Sequence, residues 1–321
     1  MSSSRVPDQL IDTASKILDV AKKKGADAAD VVVSQGASHG ISVRDGKREN
    51  AKASENRGFS LRVFRGAKVA SVSTNDDSDI DTLVERALAM AVVSPEDPYA
   101  SLADSARLAR EAPDLDLYDE TEVSPEALAE RALAAEAAAL GVKGVTRSSG
   151  AGASRGEVGF VLVTSDGFSG GYRRSYSSVS VSVVAGEGAG MQRDHDYDAR
   201  AHDGDLDSPA EIGRKAGERA AARLSPRQVP TRRNAAVIFE PRLAASMIGS
   251  LAGAITGSSV ARKTSFLRDR LGKPVLKAGL NLVDDPSIRR GAGSQPFDGE
   301  GVASERLVMV EDGVLRQWFL S

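Results

Sequence analysis

One order of patterns occurs twice in the first 225 residues. Apolar residues first recur at helical spacing, β-branched residues then bunch or alternate as they do in strands, and helical spacing returns. This order occupies residues 1–93 and again residues 124–225, and turn signals such as Asp45-Gly46 separate the strand-like runs. The pattern predicts an α+β fold of antiparallel meanders flanked by helices, with the two halves related as a possible tandem repeat.

The strand-like runs are short and are broken by glycine or polar residues. Residues 94–122, between the two halves, are rich in Pro, Asp and Ser, and we expect a long connection there. The expected strands are residues 30–34, 40–44, 58–64 and 67–74 in the first half, and residues 142–148, 157–164, 168–174 and 176–185 in the second.

A linker with two prolines and three arginines, SPRQVPTRR, follows the second half. It predicts a boundary between an N-terminal domain, residues 1–225, and a β-rich C-terminal domain, residues 226–321, that contains one central helix. Short strands are expected at residues 280–283, 306–311 and 314–320. Because the chain stops within the last of these, the pattern favours an incomplete second domain.

The central helix follows a predicted buried strand at residues 235–239 and begins near Pro241. Its apolar residues recur every fourth position and predict a stripe that faces the core: Leu243, Met247, Leu251 and Ile255.

A second row on the same helix consists of Gly249, Gly253 and Gly257. Since each glycine costs a helix about 1 kcal/mol relative to alanine, the row indicates either a closely approaching backbone or simple tight packing. The helix has no His, Glu, Asp or Cys that could bind a metal or transfer a proton.

Composition narrows the functional classes. The chain has no cysteine, so disulfides, thiolate zinc sites and cysteine nucleophiles are excluded, and a cytoplasmic location is expected. Lys and Arg number 42 against 45 Asp and Glu, and aromatic residues make up 4%, which gives no basis for nucleic-acid binding. The sequence has neither a signal-peptide pattern nor an apolar run of about 20 residues, and we therefore expect no membrane association.

Two polar stretches could carry chemistry. Residues 191–207 hold His195 and His202 among alternating aspartates that include Asp194, and they predict either a solvated rim or a zinc site. The acidic turns further on form either Asx turns with a solvated glutamate or a paired-carboxylate hydrolase, and their residues are Asp284, Asp285, Asp298 and Glu300.

Residues 36–40, GASHG, match the GxSxG pattern of a nucleophile elbow. That motif needs a helix after it, whereas the following residues have a strand pattern. We therefore interpret residues 36–40 as a loop between two strands.

Several stretches, taken together, resemble the TldD/PmbA family, whose members are also called modulators of DNA gyrase. The resemblance spans nearly the whole chain, including GADAADVVV near the N-terminus. The other stretches are MQRDHDYDAR, VIFEPRLAASMIGSLAGAITGSSV, TSFLRDRLGKPV, LVDDPSIRRGAGSQPFDGEGV and VEDGVLRQWFL.

The resemblance implies a role in proteolysis and peptide maturation. The TldD branch carries a zinc motif, HExxxH, on the central helix, where residues 248–255 of this chain are IGSLAGAI. The chain is thus more similar to the PmbA (TldE) branch, which implies a subunit without catalytic residues, cofactors or metal ligands of its own. Gly249 and Gly253 stand where the zinc motif would be.

The same resemblance implies a TldD-like protease subunit that supplies zinc, or a second copy of the chain, as the partner, and an unfolded peptide as the substrate. Family members continue for about another hundred residues, so a C-terminal truncation is expected. The alternatives are a self-sufficient metal-dependent hydrolase that uses His195 and His202, and a regulator of DNA gyrase.

Overall fold

The structure, a computed structural model, describes residues 8–320 and divides the chain into two compact units. The first unit contains residues 8–226 and 288–303, and the second contains residues 227–287 and 304–320. Residues 288–303, which the sequence analysis assigned to the C-terminal domain, therefore lie with the first unit. The α+β class is confirmed.

The first unit consists of two halves with the same element order. The first half contains α1 (Asp8–Lys23), β1 (Ala28–Arg44), β2 (Lys47–Arg65), β3 (Lys68–Thr74) and α2 (Ile80–Val93). The second half contains α3 (Pro125–Leu140), β4 (Val145–Thr164), β5 (Ser169–Ala185), β6 (Gln192–Arg200) and α4 (Pro209–Ala222). The halves match element by element, as a tandem structural repeat requires.

All six strands form one antiparallel sheet in the order β3-β2-β1-β4-β5-β6. The two halves meet where β1 pairs with β4, in a register that runs from Asp30 opposite Thr164 to Val43 opposite Ala151. This central pair makes the repeat a single sheet.

The helices of the second half begin where the sequence indicates. Ser124 and Ser208 each precede a proline, and their hydroxyl groups accept hydrogen bonds from the backbone N–H of Ala127 and Glu211. Such caps satisfy N–H groups that have no partner inside the helix, and each contributes about 1 kcal/mol.

The strands are longer than predicted, because neighbouring runs join. β1 is continuous through residues 36–40, so the prediction of a loop there was wrong. Glycine weakens an isolated strand, but here β2 and β4 pair with both edges of β1 and outweigh that preference. Gly36 also has a steric role, since an added Cβ would lie 2.8 Å from the carbonyl oxygen of Glu157.

One face of the sheet carries all four helices in two separate apolar clusters. Helices α1 and α2 cover a cluster that includes Val33, Leu61 and Val161, and helices α3 and α4 cover one that includes Ile41 and Val181. Full burial of such side chains stabilises the fold by about 1.5–3 kcal/mol each. The helical layer is thereby fixed at both ends of the long central strands.

Glu136 of α3 fixes the turn of the first hairpin. Its side chain is buried, and its two carboxylate oxygens accept hydrogen bonds from the backbone N–H of Asp45 (3.0 Å) and Gly46 (2.8 Å). Both turn residues have positive φ, 52° and 74°, as a type I′ turn requires.

Residues 288–303 cross the opposite face of the sheet, and we call this segment the strap. Phe297 of the strap is buried against Phe160, Phe168 and Tyr172, with ring centroids 5.0–6.3 Å apart. Such aromatic pairs contribute about 0.5–1.5 kcal/mol each beyond their burial. This cluster anchors the strap to the first unit.

Helices α3 and α4 approach each other closely along Gly213 and Gly217 of α4. A Cβ added at Gly217 would lie 2.8 Å from the carbonyl oxygen of Ala139, and one added at Gly213 would clash with the carbonyl of Ala135. This kind of approach was one of the two predictions for Gly249, Gly253 and Gly257. Nothing among residues 8–320 lies within 4 Å of a Cβ built on Gly249 or Gly253, whereas one built on Gly257, at the start of the next helix, would lie 2.8 Å from Leu320 Cδ2 and 3.3 Å from the carbonyl oxygen of Phe319.

The second unit contains α5 (Pro241–Ala254), α6 (Gly257–Ala261) and a small sheet of β7 (Leu282–Asp284), β8 (Leu307–Glu311) and β9 (Val314–Leu315). Its core includes Ile255, Met309 and Leu315. No helix within residues 8–320 has the length and apolar character needed to cross a membrane.

Two predictions for the second unit were wrong. Residues 235–239 form no strand, and Ile238 is 96% exposed rather than buried. In the expected core stripe, Ile255 is buried and Leu251 partly buried, but Leu243 and Met247 are about half exposed. An apolar pattern shows which side of an element is suited to packing, but burial needs a partner, and described residues cover only the C-terminal end of this stripe.

We predict opposite effects for alanine at two helical glycines. Gly213→Ala should lower the free energy of unfolding by about 1–3 kcal/mol, because the new methyl group overpacks the contact with α3. Gly253→Ala is the matched control and should be neutral or stabilising by up to about 1 kcal/mol. Urea unfolding of both variants measures the difference; equal effects would contradict the close approach.

Candidate functional site

Helix α5 carries the positions that the sequence analysis singled out. Gly249 and Gly253 lie on it, and Leu243, Met247 and Ile248 are each about half exposed. Only Ala254 of the helix is buried. Apart from Arg242 in its first turn, the helix thus presents small and apolar side chains, and it has no His, Glu, Asp or Cys that could bind a metal or transfer a proton.

The four predicted acidic residues are divided between the two units, two in each. Asp284 ends β7, and Asp285 accepts hydrogen bonds from the N–H (3.0 Å) and hydroxyl (2.6 Å) of Ser287 in the second unit. Asp298, in the strap, accepts from the N–H groups of Glu300 and Val302, both at 2.9 Å. Asp285 and Asp298 therefore make the Asx-type turns that were one of the two expectations.

Glu300 takes part in a charged cluster of the first unit. Its carboxylate lies 3.1 Å from Arg62, which also pairs with the buried Asp30 at 2.6 Å. Burial raises the pKa of Asp30, although the hydrogen bond and charge of Arg62 act in the opposite direction. The arginine thus links a buried strand residue to the strap.

The three candidate metal ligands lie on or just after β6. Asp194 pairs at 3.0 Å with Arg223, the residue that follows α4, whereas His195 is exposed on the other side of the strand and is paired in register with Ser182. His202 follows the strand, and its Nε2 atom lies 2.9 Å from the backbone oxygen of Asp116. The alternation of Asp194 and its neighbours along one strand face, noted from spacing, is present.

The donor set can be tested against the zinc site that was one of the two expectations for residues 191–207. Within residues 8–320, no three His, Cys, Asp or Glu side chains lie close enough together to hold a metal ion. A zinc peptidase site uses three protein ligands and leaves one position for water. The residues that the structure describes do not fit such a centre.

Beneath the helices, a buried polar network connects three parts of the first unit. Arg155 of β4, 9% exposed, donates to Ser177 Oγ (3.3 Å) and lies 3.7 Å from the carboxylate of Asp119. Asp203 accepts bonds from Arg131 of α3 (2.6 Å) and from Ser177 (2.8 Å), and donates its N–H to Asp119 (2.7 Å). Each charge is therefore paired, as burial demands.

Asp119 is the most perturbed carboxylate of this network. Burial alone would raise its pKa, but hydrogen bonds from Asp203 and Thr121 and the charge of Arg155 outweigh burial and lower the pKa of Asp119 to about 2. The pKa of Asp203 is also lowered, mainly by the hydrogen bond from Arg131. Both carboxylates are thus held in the ionised form.

A second cluster joins the strap to this network. Asp116 lies 2.7 Å from Arg290 of the strap, and Arg290 also reaches Asp205 at 2.9 Å. The hydrogen bond from Arg290 lowers the pKa of Asp116. Asp116 and Arg290 both have positive φ, 53° and 56°, a conformation that non-glycine residues adopt rarely and that the surrounding contacts maintain.

Charged residues in the middle of the helix-bearing face were not among the residues predicted from the sequence. Arg155 and Glu157 share a face of β4 with the buried Ala153 and Val161. Both residues stand at positions where the alternation of the strand otherwise places apolar side chains. This departure from the pattern could have indicated a polar site. The sequence pattern instead predicts two separate strands, residues 142–148 and 157–164, and leaves Arg155 in the gap between them.

Asp119 gives a testable pH dependence. Its pKa in the folded chain is below the unfolded value near 3.8, so its stabilisation is complete above about pH 5 and is lost as pH falls toward 2. The shift corresponds to about 2 kcal/mol at pH 7. Asp119→Asn should lower the free energy of unfolding at pH 7 by at least that amount, and the deficit should shrink between pH 5 and 2.

Asp166→Asn, in the exposed turn after β4, is the control and should leave the free energy of unfolding at pH 7 nearly unchanged, because Asp166 is exposed. Urea unfolding at several pH values measures both variants. A constant deficit for Asp119→Asn from pH 7 to pH 2 would contradict the assignment.

Comparisons with known proteins agree on one family. Three successive stretches match family models of PmbA/TldA metallopeptidases: residues 29–91 match domain 1, residues 118–224 the central domain and residues 232–321 the C-terminal domain.

Individual relatives match over almost the whole chain. Metalloprotease PmbA of Escherichia coli O157:H7 is 38% identical over 97% of this chain and 70% of its own length. A Haemophilus influenzae homologue of PmbA is 33% identical over 98% of this chain and 70% of its own length.

Two solved structures share the fold. A crystal structure of a candidate modulator of DNA gyrase from Bacteroides thetaiotaomicron superposes with a TM-score of 0.90 at 26% identity, covering 99% of this chain and 73% of that one. TldE from Thermococcus kodakarensis has a TM-score of 0.77 at 18% identity, covering 96% and 70%. With three family domains and these relatives matched, the chain belongs to the PmbA/TldD metallopeptidase family.

Proposed function

We propose that this chain is the non-catalytic subunit of a TldD–TldE type metallopeptidase that acts on unfolded peptides. A TldD-like subunit supplies the zinc ion and the general base, and this chain completes the peptide-binding chamber. The observation that carries the proposal is helix α5, where residues 248–255, IGSLAGAI, have no ligand or base at the place of the HExxxH motif of the TldD branch.

The chemistry of the remaining residues supports a division of labour. Hydrolysis by zinc needs ligands that leave one coordination position for water, and a base that accepts the proton of that water. The chain has only three histidines, His39, His195 and His202. Two of these lie on β1 and β6, at opposite sides of the β4–β5 pair, and the third binds the backbone of Asp116.

The proposal is tested by assaying peptide cleavage with three samples. These are this chain alone, an HExxxH-bearing TldD-type protein from the same source, and an equimolar mixture, each with an unfolded fluorescent polypeptide. We expect negligible cleavage by this chain alone and cleavage by the mixture that exceeds that of the TldD-type protein alone and stops on addition of a zinc chelator.

Chelator-sensitive cleavage by this chain alone would contradict the proposal. Loss of that activity in His195→Ala would then identify the chain as a self-sufficient hydrolase. A mixture no more active than the TldD-type protein alone would contradict the complex. A gyrase regulator is distinguished separately, by a salt-dependent DNA-binding titration.

A further inference from the structure

A cavity of about 550 Å³ opens on the helix-bearing face of the first unit, near the middle of the sheet. We call this cavity the trough. Its lining includes a row of four residues that lie side by side on adjacent strands: Arg57 of β2 is opposite Gln35, Gln35 is opposite Gly159, and Gly159 is opposite Arg173 of β5. The row thus has an arginine at each end, and Gly159 in its middle has no side chain.

The trough exists because the two helix pairs cover different ends of the same strands. Val33 of β1 packs in the cluster beneath α1 and α2, and Ile41 packs beneath α3. Val33 and Ile41 are eight positions apart, which corresponds to about 27 Å along a strand, whereas a helix with its side chains is about 10–12 Å wide. Between the helix pairs, the floor at Ala37 remains open to the cavity.

Arg57 is held in place by groups around its guanidinium. One nitrogen lies 3.1 Å from Asp77, another donates to Thr13 Oγ1 at 3.4 Å, and the guanidinium lies over the ring of Phe59 at 4.7 Å. Its Nε atom is buried and has no hydrogen-bond partner among the residues that the structure describes. The guanidinium is therefore positioned by its terminal nitrogens and by the ring of Phe59.

Arg173 is held just as firmly at the other end of the row. Its guanidinium lies 3.8 Å from the ring centroid of Tyr118, donates to the Tyr118 hydroxyl and pairs with Glu157 at 3.1 Å. Tyr118 in turn donates to Glu157 at 2.7 Å. Burial and this hydrogen bond raise the pKa of Tyr118, so its hydroxyl keeps its proton at neutral pH.

The charges of the lining favour one class of ligand. Arg173 suits a carboxylate, which guanidinium groups bind with directed hydrogen bonds. Glu55 and Glu157, also in the lining, would repel a polyanion such as a nucleotide, yet they accept bonds from N–H groups. A peptide end combines one carboxylate with amide N–H donors, and the cavity volume is within the usual range for small-ligand sites.

We infer that the trough binds the carboxylate end of an extended peptide, with Arg173 receiving the carboxylate and Glu157 the peptide N–H groups. Arg57, three strand spacings away at the other end of the row, donates to the peptide backbone carbonyl groups. The choice of a peptide rests on the proposed function, but the site belongs to this chain alone and needs no partner subunit. The trough adds a place where a substrate or cleavage product is held by its terminus.

The inference is tested by calorimetric titration of the full chain, without a protease partner, with tetra-alanine that carries an N-terminal acetyl group. We expect saturable binding of the free acid, and at least tenfold weaker binding of the C-terminal amide, because the amide loses a charge-assisted contact. Arg173→Gln should weaken binding of the acid by about tenfold or more.

Two further variants make the test independent of folding defects. Ala37→Phe fills the floor of the cavity without removing a hydrogen bond, and it should abolish binding. Arg48→Gln, an exposed arginine of the same strand as Arg57 but outside the trough, should leave binding unchanged. Circular dichroism melts verify that each variant is folded.

Equal affinity for acid and amide, absence of saturable binding, or full binding by folded Ala37→Phe would overturn the inference. These results would leave the cleavage assay of the two-subunit mixture unaffected. Conversely, acid-specific binding by a chain that fails to stimulate cleavage would retain the trough and contradict the proposed subunit role.

Discussion

The pairing of β1 with β4 is the interaction on which the rest of the first unit depends. Each half, a helix, three strands and a helix, contributes one long strand to this pair, and the register is continuous from Asp30 to Val43. Because the pairing is antiparallel, both helix pairs lie on the same face but at opposite ends of the strands. The central strands are longer than the two stretches that the helix pairs cover. The middle of this face therefore stays open and forms the trough.

The central region of that face carries charges where an ordinary two-layer fold would carry apolar side chains. Arg155, Asp119 and Asp203 are largely buried, and removing one member of such a network leaves an uncompensated charge. Replacing a buried ion pair with apolar residues of similar size often leaves the stability of a protein unchanged or raises it. We therefore interpret the network as one that holds charged side chains in place beside the trough. The strap is attached to this network through the pair of Asp116 and Arg290.

Much of the fold was predictable from local patterns. The two-part repeat, the capped helices after Ser124 and Ser208, and the turn at Asp45-Gly46 rest on interactions within a few residues. The long strands were not predictable, because Gly36 and Gly40 resemble a loop unless both neighbouring strands are considered. The prediction that the apolar stripe of α5 is buried was wrong for a related reason. An apolar pattern does not show whether another element packs against it.

For the site, sequence reasoning identified what α5 lacks but not where the first unit gathers charge. The absence of ligands at residues 248–255 follows from residue identities alone. The trough depends on which residues of four strands lie side by side, and register is set by long-range pairing. Gly213 and Gly217 show the same limit: their spacing equals that of Gly249 and Gly253, but only the former pair has a neighbouring helix among the described residues.

The chain belongs to a metallopeptidase family, and the proposed function makes it dependent on a partner for the metal. The most direct test is the zinc content of the purified chain, measured by mass spectrometry after dialysis against zinc, beside that of its complex with a TldD-type subunit. We predict substoichiometric zinc in the chain alone and one equivalent per complex. One tightly bound equivalent in the chain alone, lost in His195→Ala, would contradict the account.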